Sequence, residues 1–145
     1  MNYKNSNDSG AVKPKIHSFK ELKVWQLSHQ VVLDIYSILN QIPKAEEFRI
    51  ISQLVRCTIS VPANIAEGTG RETKKELSQH LIIARGSNEE IRYFLILILD
   101  LKFISQTQYD SIENKCSQVS KMLNGLLSSL NNSNSAFDES ELYSI

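Results

Sequence analysis

Apolar residues recur at alternating steps of three and four through most of residues 18–130, the period of an α-helix, and four segments carry the pattern. The first shows Val24, Leu27, Val31, Ile35, Ile38 and Ile42, widened by a flanking stripe of Trp25, Val32, Tyr36 and Leu39. Ser18 with Glu21 three residues on predicts a capping-box start, and Pro43 ends the segment. The second runs from about Ala45 to Glu67, with Phe48, Ile51, Leu54, Val55, Thr58, Val61 and Ile65 on its buried side. Pro62 lies inside it, where a kink or a restart capped by Ser60 is expected. Gly68 and Gly70 follow, suited to a left-handed helix stop.

The third segment opens on a capping box, Thr73 with Glu76, and extends to about Phe103, turning Leu77, Leu81, Ala84, Ile91, Leu95 and Ile98 inward. After a short turn, with Thr107 as the expected cap, the fourth carries Tyr109, Ile112, Cys116, Val119, Leu123, Leu126 and Leu130. No alternating strand pattern competes. Four long helices with short connections predict an all-α fold, an antiparallel up-down-up-down four-helix bundle over residues 18–130. Residues 1–17 and 131–145 are polar and lack a sustained stripe, so a disordered N-terminal arm and a disordered C-terminal tail are expected there.

Residues 91–101 change this picture, because they are apolar nearly all the way round. Leu95 and Ile98 face one way while Ile96 and Leu97 face another, and an isolated bundle needs only one broad stripe. Tyr93, Phe94, Ile96, Leu97 and Leu101 therefore form a candidate homo-oligomer interface. The alternative is a deep core helix covered by the wide face of the first.

The chain has 145 residues, ample for one core, and its formal net charge is zero. The excess is +2 in residues 1–17, −3 in 131–145 and +1 between them, too little for a duplex-binding surface built on bulk charge. With no signal-like or membrane-length apolar run and two cysteines on apolar helical positions, a cytoplasmic protein with buried free thiols is expected.

Candidate chemistry is sparse. Gln53, Arg56, Ser60, Asn64, Glu67 and Arg71 recur along one side of the second helix, and Lys74 and Lys75 follow at the next helix start. One reading is a solvated face with weak ion pairs; the other is a strip that recognises phosphates or a partner's backbone. The Gly68-Thr69-Gly70-Arg71 run lacks the lysine and hydroxyl ending of a P-loop. Glu76 and His80 are four apart and have no second matching pair, so no metal, cofactor or small-molecule substrate is expected. No nucleophile–base pair stands out, and no catalytic residue is assigned.

Several motifs together carry a family resemblance. They are Leu22-x-Val24-Trp25-Gln26, Ile42-Pro43, Ser52-Gln53-Leu54-x-Arg56, Ser60-Val61-Pro62-x-Asn64-Ile65-Ala66-Glu67-Gly68-x-Gly70-Arg71, Lys75-Glu76-Leu77, Ala84-x-Gly86-Ser87-x-x-Glu90 and Phe103-Ile104. Spanning residues 18–130, the chain resembles the four-helix-bundle proteins first noticed as open reading frames in intervening sequences of bacterial large-subunit ribosomal RNA genes. Those in turn are similar to accessory proteins of diversity-generating retroelements. The resemblance implies a left-handed bundle, a ring-shaped homopentamer and a role near RNA, beside a reverse transcriptase in the retroelement relatives. Lys102 stands where such proteins often have glycine before the aromatic. The expected function is a non-enzymatic adaptor or scaffold associated with RNA or an RNA-handling protein. Near-neutral charge keeps open a protein–protein module with no nucleic-acid contact.

Overall fold

The computed structural model describes residues 18–132 together with 142–143, and helix dominates both the core and the connections. Four α-helices carry the fold: α1 (Lys23–Ile38), α2 (Ser52–Thr69), α3 (Lys74–Asp100) and α4 (Gln106–Asn131). α1 packs on α2 and α4, and α3 packs on the same two, so each helix has two neighbours around one core. No strand occurs among the described residues. The core is the union of the four stripes, with Ile35, Leu54, Ile65, Leu95, Ile98, Cys116 and Leu123 among its sealed members. Of the two expected tails, residues 1–17 lie outside the described residues, as does most of 131–145. Within the latter, Leu142 is buried and Tyr143 packs against the core.

Helix boundaries follow local chemistry, in places other than those expected. Ser18 caps a 3₁₀ turn, Phe19–Glu21, rather than α1 itself, which begins at Lys23 behind an uncapped Leu22. α3 starts where expected, with the Thr73 hydroxyl accepting the Glu76 amide at 3.2 Å, the N-cap half of the expected capping box. α4 is capped by Ser105 and not Thr107. The Ser105 hydroxyl accepts the Gln108 amide, and the Gln108 side chain accepts the Ser105 amide, completing a capping box.

Two further corrections concern the second helix. A 3₁₀ turn, Lys44–Glu46, and a π-helical turn, Glu47–Ile51, precede α2 where continuous α-helix was expected. The wider i→i+5 turn shifts the phase, so Ile50 enters the core and Phe48 stands 84% exposed. The expected left-handed glycines are also absent: Gly70 caps α2 at φ −85°, and no glycine has positive φ among the described residues.

The left-handed residue is Lys102, at φ 64°. The Phe103 amide donates to Ile98 O and the Lys102 amide to Leu99 O, both at 2.9 Å. With Phe103 packed on the core, this is a Schellman stop with lysine at the position glycine favours. A Cβ in this conformation costs on the order of 1 kcal/mol. Lys102→Gly is accordingly expected to raise stability by about 1 kcal/mol, or roughly 4 °C in Tm. Thermal unfolding measures it, and an unchanged or lower Tm would remove the strain assigned to this residue.

Candidate interaction surface

The polar strip of α2 divides into three parts of different character. At its start, Gln53 and Arg56 are exposed, and Arg56 makes no ion pair among the described residues. In the middle, Ser60 and Asn64 are half-buried and turned toward α3, where they meet two residues the sequence did not pair with them. The Ser87 hydroxyl lies 2.9 Å from that of Ser60, and Asn64 Nδ2 donates to both Ser60 O (2.8 Å) and Ser60 Oγ (3.0 Å). Those donations fix the amide, so Asn64 Oδ1 is the acceptor facing His80 Nδ1 at 3.1 Å. The imidazole must then carry its proton on Nδ1.

At the far end, Glu67 and Arg71 form an i,i+4 ion pair at 2.7 Å, with Glu67 also 4.0 Å from the His80 ring. Both partners are about half exposed, so the pair contributes little stability, but it neutralises Arg71. Lys74 is half-buried and Lys75 exposed. Eighteen residues separate Gln53 from Arg71, about 27 Å of helix. The strip is therefore exposed at its two ends and half-buried in the middle. Its centre is an interhelical clasp.

Gly68 explains why the clasp can form. A Cβ there would lie 2.8 Å from His80 Cβ and 3.1 Å from a Leu77 methyl, so glycine permits the close approach of α2 to α3. The polar residues of the motif over residues 60–68 thus hold one helix seam together. His80 and Ser87 stand seven apart on α3, which places them on one face; that spacing was the available signal.

The outer face of α3 is different. Ile82, Ile83, Tyr93 and Ile96, with Leu101 at the C-cap, are exposed there, five of the nine large apolar side chains left in solvent among the described residues. Of the interface expected from sequence, Tyr93 (61% exposed), Ile96 and Leu101 are present on this face. Phe94 is not, being 8% exposed and part of the core, and Leu97 is half-buried against it. The 100° step from Tyr93 turns Phe94 inward. Gly86 lies in the same helix with nothing within 4 Å of a Cβ built on it, so no packing inside the subunit requires glycine.

Beside Tyr93 and Ile96, a groove of about 330 Å³ is lined by Glu89, Arg92, Tyr109 and Glu113. Arg92 bridges Glu113 (2.8 Å) and Glu89 (3.2 Å), and these bonds hold its guanidinium firmly charged. Burial, then the Glu113 charge, pushes the Tyr109 hydroxyl above its ordinary range. Glu113 Oε2 is buried without a hydrogen-bond partner.

Both thiols are buried, and burial pushes Cys57 up to about 11 and Cys116 up to about 12, which leaves them protonated and unreactive. Among the described residues no cluster of His, Cys, Asp or Glu is placed to hold a metal ion, and no helix is long and apolar enough to cross a membrane.

A family model described as 23S rRNA-intervening sequence protein matches residues 20–125. The chain is also similar to a solved structure from Bacteroides thetaiotaomicron VPI-5482, a protein of unknown function from the S23 ribosomal protein family. The two are 26% identical, the match covers 72% of this chain and 97% of that one, and the TM-score is 0.67. No curated protein matches the chain.

Proposed function

The chain belongs to the 23S rRNA-intervening sequence protein family, and from that premise we propose a non-enzymatic, self-assembling scaffold. Its four helices run up-down-up-down as a left-handed bundle, and copies associate through the outer face of α3. The carrying observation is the concentration of exposed apolar side chains on that one helix. Of the remaining four, Leu33 and Tyr36 lie on α1 and Ile59 on α2, while Phe48 stands apart on the turn that precedes α2. Two separate apolar regions on one chain suit head-to-tail contact, α3 of one copy against the Leu33, Tyr36 and Ile59 side of the next, an arrangement that makes a ring when its rotation closes. A homopentamer is the ring size implied by the resemblance. The bare helix surface at Gly86 supports the same reading, since a mid-helix glycine costs about 1 kcal/mol unless something approaches closely.

The bound partner is read as a protein, one that handles RNA, with the rRNA link entering through the family's description. Charge favours this over direct RNA contact. Arg49, Arg71, Arg92 and Lys115 are each committed to a carboxylate, which reduces the number of cations across the bundle that are free for phosphates. Structured RNA is expected to show no strongly salt-dependent binding; binding that falls steeply with salt and is lost in Arg56→Ala/Arg71→Ala would favour the RNA reading instead.

Tyr93→Glu and Ile83→Glu test the assembly. Each places a carboxylate in the apolar face and is expected to weaken the α3 contact at least roughly 30-fold, the equivalent of the ~2 kcal/mol carried by a central interface aromatic. Sedimentation velocity reads the loss as a smaller particle with unchanged helicity. If neither substitution alters the particle, α3 is not the assembly face.

A further inference from the structure

We infer that the α1–α2 corner is a second, two-fold contact between copies of this chain, in which Phe48 of each copy fills the other's corner groove. The surface is distinct from the α3 face, and the inference rests on self-association without depending on α3. Phe48 is the most exposed large apolar side chain among the described residues. It is held outward by the π-helical turn, whose geometry gives the core position to Ile50 instead. Beside it lies a groove of about 400 Å³ with an apolar lining of Leu39, Ile42, Pro43 and Ile51. Phe48 is not part of that lining, although Glu47 and Ile51 of the same turn are.

An aromatic knob next to an apolar hole on one patch is self-complementary. A two-fold axis through the patch carries each knob to the other hole in a single docking event. The rim charges agree with this. Lys44 and Glu47 both line the groove, are exposed, and take part in no ion pair among the described residues. Two-fold pairing sets Lys44 of each copy against Glu47 of the other, opposite charges on both sides of the axis. An unrelated partner would have to supply that charge order; a second copy already has it.

One such contact is small, at the low end for specific interfaces. Several acting in parallel between two rings hold far more tightly than one, because after the first the others form at high effective concentration. The corner therefore joins two α3-based rings face to face, and the complete particle contains twice the protomers of a single ring.

Mass measurement by light scattering on the full chain tests this. Phe48→Ser is expected to halve the particle mass with helicity and Tm unchanged, since the side chain supports nothing inside the subunit. Lys44→Glu and Glu47→Lys singly are expected to do the same, and the double variant Lys44→Glu/Glu47→Lys to restore the full mass. Tyr93→Glu separates the two contacts: with the α3 face broken, the corner should leave a dimer at high concentration, which Phe48→Ser converts to monomer. Unchanged mass in Phe48→Ser, or failure of the double charge variant to restore it, overturns the two-fold contact. If instead Tyr93→Glu leaves the mass intact while Phe48→Ser still halves it, the α3 reading falls and the corner stands.

Discussion

Gly68→Ala is expected to destabilise the protein by about 1–3 kcal/mol, the usual cost of forcing an extra carbon into a packed core. The sign is not obvious, because alanine in a helix is ordinarily worth about 0.5–1 kcal/mol over glycine. Here the new Cβ would sit 2.8 Å from His80 Cβ, an atom fixed to the α3 backbone, with a Leu77 methyl at 3.1 Å. A flexible side-chain end could move aside, but a Cβ moves only with its helix. Separation of α2 from α3 would also stretch the Asn64–His80 and Ser60–Ser87 bonds, so the methyl acts on the whole clasp. Gly125→Ala is the control. Nothing lies within 4 Å of its built Cβ, and the ordinary gain of about 0.5–1 kcal/mol is expected there. Urea midpoints at constant m separate the two, and a Gly68→Ala variant as stable as wild type would refute the close-approach account.

The second large effect is alkaline. Cys57 and Cys116 are both buried, and their thiols are pushed from an ordinary value of 9.0 to about 11 and about 12, first by burial and then by the Glu90 and Glu113 charges respectively. The folded state therefore keeps protons that the unfolded chain releases. Stability from this source is complete below about pH 9 and is lost as pH rises, at about 1.4 kcal/mol per pH unit for each thiol. The decline ends near pH 11 for Cys57 and near pH 12 for Cys116. At pH 10 the two together amount to roughly 3 kcal/mol, a large part of the 5–15 kcal/mol typical of a domain. Cys57→Ala/Cys116→Ala lowers stability at pH 8 by leaving cavities, yet its further decline to pH 10 should be shallower than that of wild type. Parallel declines would show that the thiols do not govern the alkaline limit.

Much of this molecule was legible from periodicity. The stripes of α1, α3 and α4 name their buried residues nearly one for one, as with Val24, Val31 and Ile35 or Ile112, Cys116, Val119 and Leu123. These side chains sit where a regular 3.6-residue turn puts them, and regularity is what a sequence pattern encodes. Phe48 was misplaced because the turn there is not regular. A π-helical turn leaves no distinct mark in composition, and its phase shift moved Phe48 out and Ile50 in. Phe94 was misplaced for a related reason: in a segment apolar on every side, hydrophobicity no longer says which side faces the core.

Site residues were harder to read than the fold. The sequence grouped Gln53, Arg56, Asn64, Glu67 and Arg71 by their helical phase, and phase alone cannot say what stands opposite. Only the neighbouring helix shows that Asn64 meets His80 while Arg56 stays in solvent. Gly68 and Lys102 make the same point about backbone. Glycine was expected to be left-handed at the end of α2, yet it is needed there for helix contact, and the left-handed stop at the end of α3 falls to a lysine.

The sequence by itself determined the helix count, the core stripes, the buried thiols and the family, because each is written in local order along the chain. The tertiary structure alone decided which polar residues close the α2–α3 seam and which apolar ones, Phe48 and Tyr93 among them, remain uncovered. Those outcomes depend on the distance and phase between helices far apart in sequence. Packing sets that relation, and no single helix contains it.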